Sequence, residues 1–203
     1  MLKANFITAQ EAAEKIQDGS TLCTIGMTLV SASESILKAI EKRFETVGHP
    51  ADITLVHSCG QSDRKDGIQH LAHEGLVKRI VGSHWGLQPR WMEMIANSQV
   101  EAYCLPQGQI AQLYRSMACG LPGKMSKVGL GTFIDPRVEG GKMNDRTKPL
   151  PDLVDILEYG GEEYMFYKEI PLDTVLIRGT VCDEMGNLTT TEEAMKLEVL
   201  PAV

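Results

Sequence analysis

Three glycine-bearing breaks hold the residue types best suited to chemistry: Gly26 with Met27, Pro106-Gln107-Gly108, and Gly129-Leu130-Gly131. In open α/β sheets, ligands collect outside the carboxyl ends of the strands, and these breaks are read as lying there. A helix start follows Gly26, where free N–H groups and the helix dipole can hold an anion or a developing oxyanion. Gln107 places an amide at a strand end, able to donate and accept at once. Tight strand–helix turns use glycine in any case, and a glutamine before a helix is often only a loop residue, so residue type alone leaves the site open.

Other candidates carry less. His70, His73 and His84, with Asp63 or Asp66, contain an H-x-x-H spacing, but no third ligand is fixed by a motif. They read as surface or helix-packing histidines, and no metal is expected. Trp85 and Trp91 read as core or subunit-contact residues. The cysteines at 23, 59, 104, 119 and 182 are odd in number and form no C-x-x-C pair. They are expected to be reduced core or near-core thiols in a reducing compartment. No G-x-S-x-G, Walker loop, strand-borne G-x-G-x-x-G or H-E-x-x-H occurs, and no catalytic dyad is visible.

The elements that must position these residues alternate along the chain. Thr8-Ala-Gln-Glu11 is a capping box opening a helix that ends at Gly19, and Thr21–Ile25 is a strand. Ser31-Ala-Ser-Glu34 has the same spacing and is expected to open a second helix in the same way. A strand at Ile53–His57, a helix near 68–77, a strand at Arg79–Ser83 and a helix over 89–97 follow. Val100–Cys104 is a strand and Gln109–Cys119 a helix. Residues 129–149 show no clear period. Strand character returns at Glu163–Lys168 and Thr174–Val181, then a turn at Met185-Gly186-Asn187 and a third capping box at Thr190–Glu193. The alternation argues for an α/β fold: a Rossmann-like, mainly parallel sheet flanked by helices, in one domain over 1–203.

The 203 residues carry 20 Lys plus Arg against 27 Asp plus Glu, a net charge of −7 with no basic stripe, so nucleic acid and anionic membrane are poor partners. A 43% apolar content excludes a disordered chain, and no apolar run reaches 18 residues. The opening Met-Leu-Lys-Ala-Asn-Phe does not read as a secretory signal. A cytoplasmic protein is expected.

Four segments together resemble the family I coenzyme A transferases, in the propionate or short-chain acyl-CoA:acetate/acetoacetate branch. They are Ala72-His-Glu-Gly-Leu-Val-Lys78, Gly82-Ser-His-Trp-Gly86, Pro106-Gln-Gly108, and Gly129-Leu-Gly-Thr-Phe-Ile-Asp-Pro-Arg-Val-Glu-Gly-Gly-Lys-Met-Asn144. The resemblance implies an enzyme that moves coenzyme A between a short-chain acyl-CoA and a free carboxylic acid, with the CoA thioester as substrate and no other cofactor. It implies that Gln107 contacts the exchanging carboxyl groups, that Gly26 and Met27 face the acyl group, and that Gly108, Gly129 and Gly131 line the same cleft. The nucleophilic glutamate of the family lies in a second domain, so none is assigned in this chain; Glu74 and Glu139 do not correspond to it. The resemblance also implies a second domain or subunit as partner, and a homo-oligomer.

Leu29 and Ser33 stand where many relatives have glycine and proline, so the acyl pocket is expected to be reshaped here. Five apolar residues among the last seven suggest a terminus covered by further protein. Two other readings are a sugar-phosphate isomerase, disfavoured by the absence of a basic phosphate cluster, and a catalytically silent acyl-CoA- or carboxylate-binding domain.

Overall fold

A computed structural model describes residues 3–195. The chain runs α1 (Ala9–Glu14), β1 (Thr21–Thr24), α2 (Glu34–Val47), β2 (Ile53–His57), a 3-10 turn (Gly67–Leu71), β3 (Val77–Gly82), α3 (Pro89–Ala96), β4 (Glu101–Cys104) and α4 (Gln107–Ala118). There follow β5 (Gly123–Ser126), β6 (Val154–Tyr159), β7 (Glu162–Lys168), β8 (Thr174–Leu176) and a short hairpin of β9 (Val181–Cys182) and β10 (Leu188–Thr189). The main sheet has the order β4-β3-β2-β1-β8. Its pairs are all parallel. The α/β class with a parallel central sheet is therefore as read from the alternation.

Side-chain alternation gives the sheet two apolar faces. Leu22, Leu55, Ile80 and Ala102 pack under Ala13, Leu37, Ile40, Trp91 and Ile95 of the helices. Cys23, Val56, Val81 and Tyr103 meet Ile110 and Tyr114 of α4 together with Val154, Met165 and Tyr167. Those last three belong to an antiparallel sheet of order β5-β7-β6, which the sequence reading did not anticipate. Helices thus cover one face, while α4 and a small sheet cover the other. The β6–β7 turn is Gly160-Gly161, both at positive φ (63° and 78°), as a two-residue hairpin requires.

Several local expectations are corrected. Residues 68–77 form no α-helix: a five-residue 3-10 turn ends at Leu71, and Val77 already begins β3. The proposed box at Ser31–Glu34 does not form, since Ser33 precedes α2 and gives no side-chain cap. Thr190–Glu193 opens no helix within the described residues. Cys119 and Cys182 are exposed rather than core thiols, whereas Cys23 and Cys59 are buried. The box at Thr8–Glu11 is present with both reciprocal bonds. Trp85 and Trp91 both lie in the core. The apolar run from Leu197 to Val203 lies outside the described residues.

Candidate functional site

One row crosses the main sheet at its carboxyl edge: Thr24, His57, Gly82 and Cys104 are in register on β1 to β4. Just beyond it come the loops that carry the candidate residues. Gly26 follows β1 and Gln107 follows β4, so the two lie on the same edge with β2 and β3 between their strands.

The loop after β1 is a tight hairpin. Met27 N–H donates to Val30 C=O at 3.0 Å and Val30 N–H returns a bond to Met27 C=O at 2.9 Å, leaving Thr28 and Leu29 at the tip. Gly26 is required there. Its φ is 152°, and a β carbon would sit 2.9 Å from the Val30 carbonyl oxygen. Thr28 N–H donates to Gly60 C=O at 2.8 Å, tying the tip to the segment after β2. The loop exposes Met27 and Val30 and so presents an apolar wall.

Gln107 is the first residue of α4 rather than a loop residue before it. Pro106, its N-cap, offers no side-chain bond, so the first N–H groups of the helix are left for another acceptor. The Gln107 side chain is exposed, and a β carbon at Gly108 would meet nothing within 4 Å, so the helix start can be approached closely. A carboxyl group placed here meets an amide that both donates and accepts, together with free backbone donors.

Residues 129–149 are not a slack loop. Asp135, buried, accepts from Gly131 N–H (2.8 Å), Arg137 N–H (3.0 Å), Arg137 Nε (2.9 Å) and Arg137 Nη2 (2.8 Å). The Arg137 side-chain bonds, with those two backbone donors, hold its carboxyl well below the usual carboxylate range. Further on, Cys104 N–H donates to Gly141 C=O and Met143 N–H to Ala102 C=O, so the segment runs antiparallel along β4 and covers that sheet edge. Asn144 closes it, donating to Ile95 and Val100 carbonyls. The antiparallel course sends residues 131–139 past the carboxyl end of β4, toward the same edge as Gln107. Gly129 (φ 99°) packs where a β carbon would meet Tyr167 Oη, and Gly131 faces open space.

The histidines part company. His70 lies between two α2 carboxylates, Nε2 at 2.9 Å from Glu34 and Nδ1 at 2.5 Å from Glu41, and His73 Nε2 is 2.9 Å from Glu41. Burial disfavours the charged form of His70, but those carboxylates outweigh it and raise its pKa. Glu34, Asp66 and His70 bring ligand atoms within 4.8 Å of one another; Lys38 Nζ lies 3.0 Å from Glu34 and 3.2 Å from Asp66. His84, by contrast, is exposed at the end of β3, between the 26–31 loop and Gln107 along the edge. Its place there was not legible from the H-x-x-H spacing. Glu193 was missed too, having been read as a capping residue; its partner is Ser31.

The family model for coenzyme A transferase matches residues 6–202. The chain belongs to the coenzyme A transferase family. It is 44% identical over 191 residues to the caffeate CoA-transferase of Acetobacterium woodii, covering 94% of this chain and 36% of that protein. The acyl-CoA transferase YdiF of Escherichia coli O157:H7, solved as a thioester complex with CoA, superposes with a TM-score of 0.92 at 36% identity, covering 97% of this chain and 38% of that one. The alpha subunit of acetate CoA-transferase from Escherichia coli (strain K12) is 25% identical, covering all of this chain and 82% of that subunit. The chain thus spans little more than a third of the length of its more similar CoA-transferase relatives. Among the described residues, no helix is long and apolar enough to cross a membrane.

Proposed function

We propose that this chain supplies the carboxyl-facing half of a site that transfers coenzyme A between a short-chain acyl-CoA and a free carboxylic acid of the acetate, propionate or acetoacetate class. The observation that carries the reading is the placement of Gln107 as an exposed first residue of α4, on the same sheet edge as the apolar Met27–Val30 hairpin. The hairpin receives the acyl chain. Gln107 and the α4 start hold the carboxyl oxygens, with Gly108 and Gly131 leaving the cleft open and Gly129 letting the lining segment turn closely against Tyr167.

A glutamate outside this chain, on a second domain or subunit, then attacks the thioester carbonyl. The C–S bond breaks, CoA leaves as thiolate, and an acyl-glutamyl anhydride forms. The thiolate attacks the glutamyl carbonyl, releasing the carboxylate and leaving a glutamyl-CoA thioester, which the acceptor acid resolves by the reverse steps. Gln107 donates to whichever carboxyl oxygen gains charge in each step. Relatives more than twice as long as this chain support a partner domain or subunit.

The test is CoA exchange from acetyl-CoA to labelled propionate by the full-length protein or the chain mixed with its second half. Exchange that needs both parts is expected. Robust exchange by residues 1–203 alone would overturn the placement of the nucleophile.

A further inference from the structure

The Met27–Val30 hairpin is held at its base by a residue 162 positions away. Ser31 is buried and has φ 59°, in the left-handed region that side-chain-bearing residues rarely adopt. Its hydroxyl donates to Glu193 Oε2 at 2.9 Å, a buried bond. The other carboxylate oxygen, Oε1, lies 3.1 Å from Arg178 Nε. Glu193 is itself only 8% exposed. Among the described residues, its two oxygens are thus engaged by Ser31 and Arg178. Removing it leaves a buried hydroxyl without this acceptor and takes away the side-chain bond that holds the left-handed Ser31. Among the described residues, the backbone bond that then ties the hairpin tip to a neighbouring segment is Thr28 N–H to Gly60 C=O.

We infer that Glu193 is a positioning residue that sets acyl-group selectivity, by locking Ser31 and so the apolar Met27–Val30 wall. This rests on the reading that the hairpin faces the acyl group. Glu193 touches no reacting atom; it acts through Ser31.

The experiment uses the full-length protein carrying Glu193→Ala, Ser31→Ala, or both. Amide hydrogen exchange over residues 26–32 is read alongside kcat/KM for acetyl-CoA and hexanoyl-CoA. Each single variant is expected to speed exchange in the hairpin by tenfold or more, and the pair to do no more than either. The acetyl-to-hexanoyl ratio of kcat/KM is expected to move at least fivefold toward the longer chain, through KM more than kcat. Ser31→Ala removes one buried oxygen and keeps the test alive should Glu193→Ala fail to fold. Unchanged exchange in the hairpin, or additive effects in the pair, overturns the lock. Faster exchange with an unmoved acyl ratio overturns the selectivity role. Should the wild-type protein transfer no CoA at all, the proposed function fails, while hairpin exchange still decides the lock and a negative there overturns it independently.

Discussion

The imidazole of His57 lies over Gly82: a β carbon at residue 82 would collide with the ring at Cε1 and Nε2. The two residues are neighbours in the β2–β3 register, and the missing side chain on β3 is what lets a histidine fold flat at the sheet edge beneath Trp85, whose ring lies 6.0 Å away edge-on. Gly82→Ala is expected to destabilise the protein by about 2 kcal/mol through overpacking against a side chain that cannot retreat. Urea denaturation measures it, and a loss below the experimental error would mean the ring has room to move.

His57 also predicts a pH dependence. It is fully buried, and burial pushes its pKa down to about 4, with the Cys59 carbonyl opposing and His84 adding to the fall. Nδ1 lies 2.8 Å from that carbonyl, so the neutral ring donates there. The unfolded chain therefore binds a proton on this residue between about pH 6.5 and 4 that the folded chain refuses. Stability from His57 is complete above about pH 6.5 and is lost as the pH falls toward 4, by about 3 kcal/mol. Unfolding free energy measured from pH 7 to 4.5 should fall more steeply for wild type than for His57→Gln, even though the variant starts lower.

His70 works with the opposite sign. Its raised pKa, set by Glu41 and Glu34 against the effect of burial, means its stabilising charge is present below the unfolded value and lost as the pH rises through the folded one. Melting temperature should drop from pH 6.5 upward in wild type by more than in His70→Gln. Parallel curves for the two proteins would remove His70 from the account.

Asp135 gathers the turns of the 129–144 segment through four bonds from Gly131 and Arg137. Asp135→Asn keeps the shape but removes the charge and turns one accepting oxygen into an NH2 that faces two N–H donors. It is expected to cost at least about 2 kcal/mol, as two bonds are lost and the other two weaken to neutral ones. Proteolysis should then cut within 129–141 first, and cleavage elsewhere in the chain would argue that another contact holds the segment.

Gln107 is exposed, so its replacement should spare folding and strike activity. Gln107→Ala in the full-length protein is expected to leave the melting temperature within a degree or so and to lower kcat/KM for CoA exchange at least tenfold, about 1.4 kcal/mol of transition-state binding. Unchanged turnover would exclude Gln107 from the carboxyl site.

Two capping patterns of identical spacing show where sequence reasoning reaches and stops. Thr8 and Glu11 bond each other as expected, because both partners lie within one turn of chain and are exposed. Ser31 and Glu34 carry the same pattern, yet Ser31 bonds Glu193, and Glu34 accepts from Gly67 N–H and faces His70. Distant, buried partners outbid the local ones. The helix expected over 68–77 failed for a related reason: the apolar Ile68, Leu71, Leu76 and Val77 sit in the core without helical backbone, because the chain must turn there into β3. The β5 to β7 sheet escaped notice since β5 is only four residues long and β6 ends in exposed residues, leaving little period to read.

By itself, the sequence determined the alternating elements, the parallel sheet, the glycine breaks at strand ends and the resemblance carried by the Gly129–Asn144 segment, because each depends on residues near one another in the chain. Only the tertiary structure decided which breaks share an edge, which face the small sheet covers, and that Glu193 holds the hairpin at Ser31. Strand order and long-range partners follow from how two apolar faces are buried at once, and no local pattern encodes that choice.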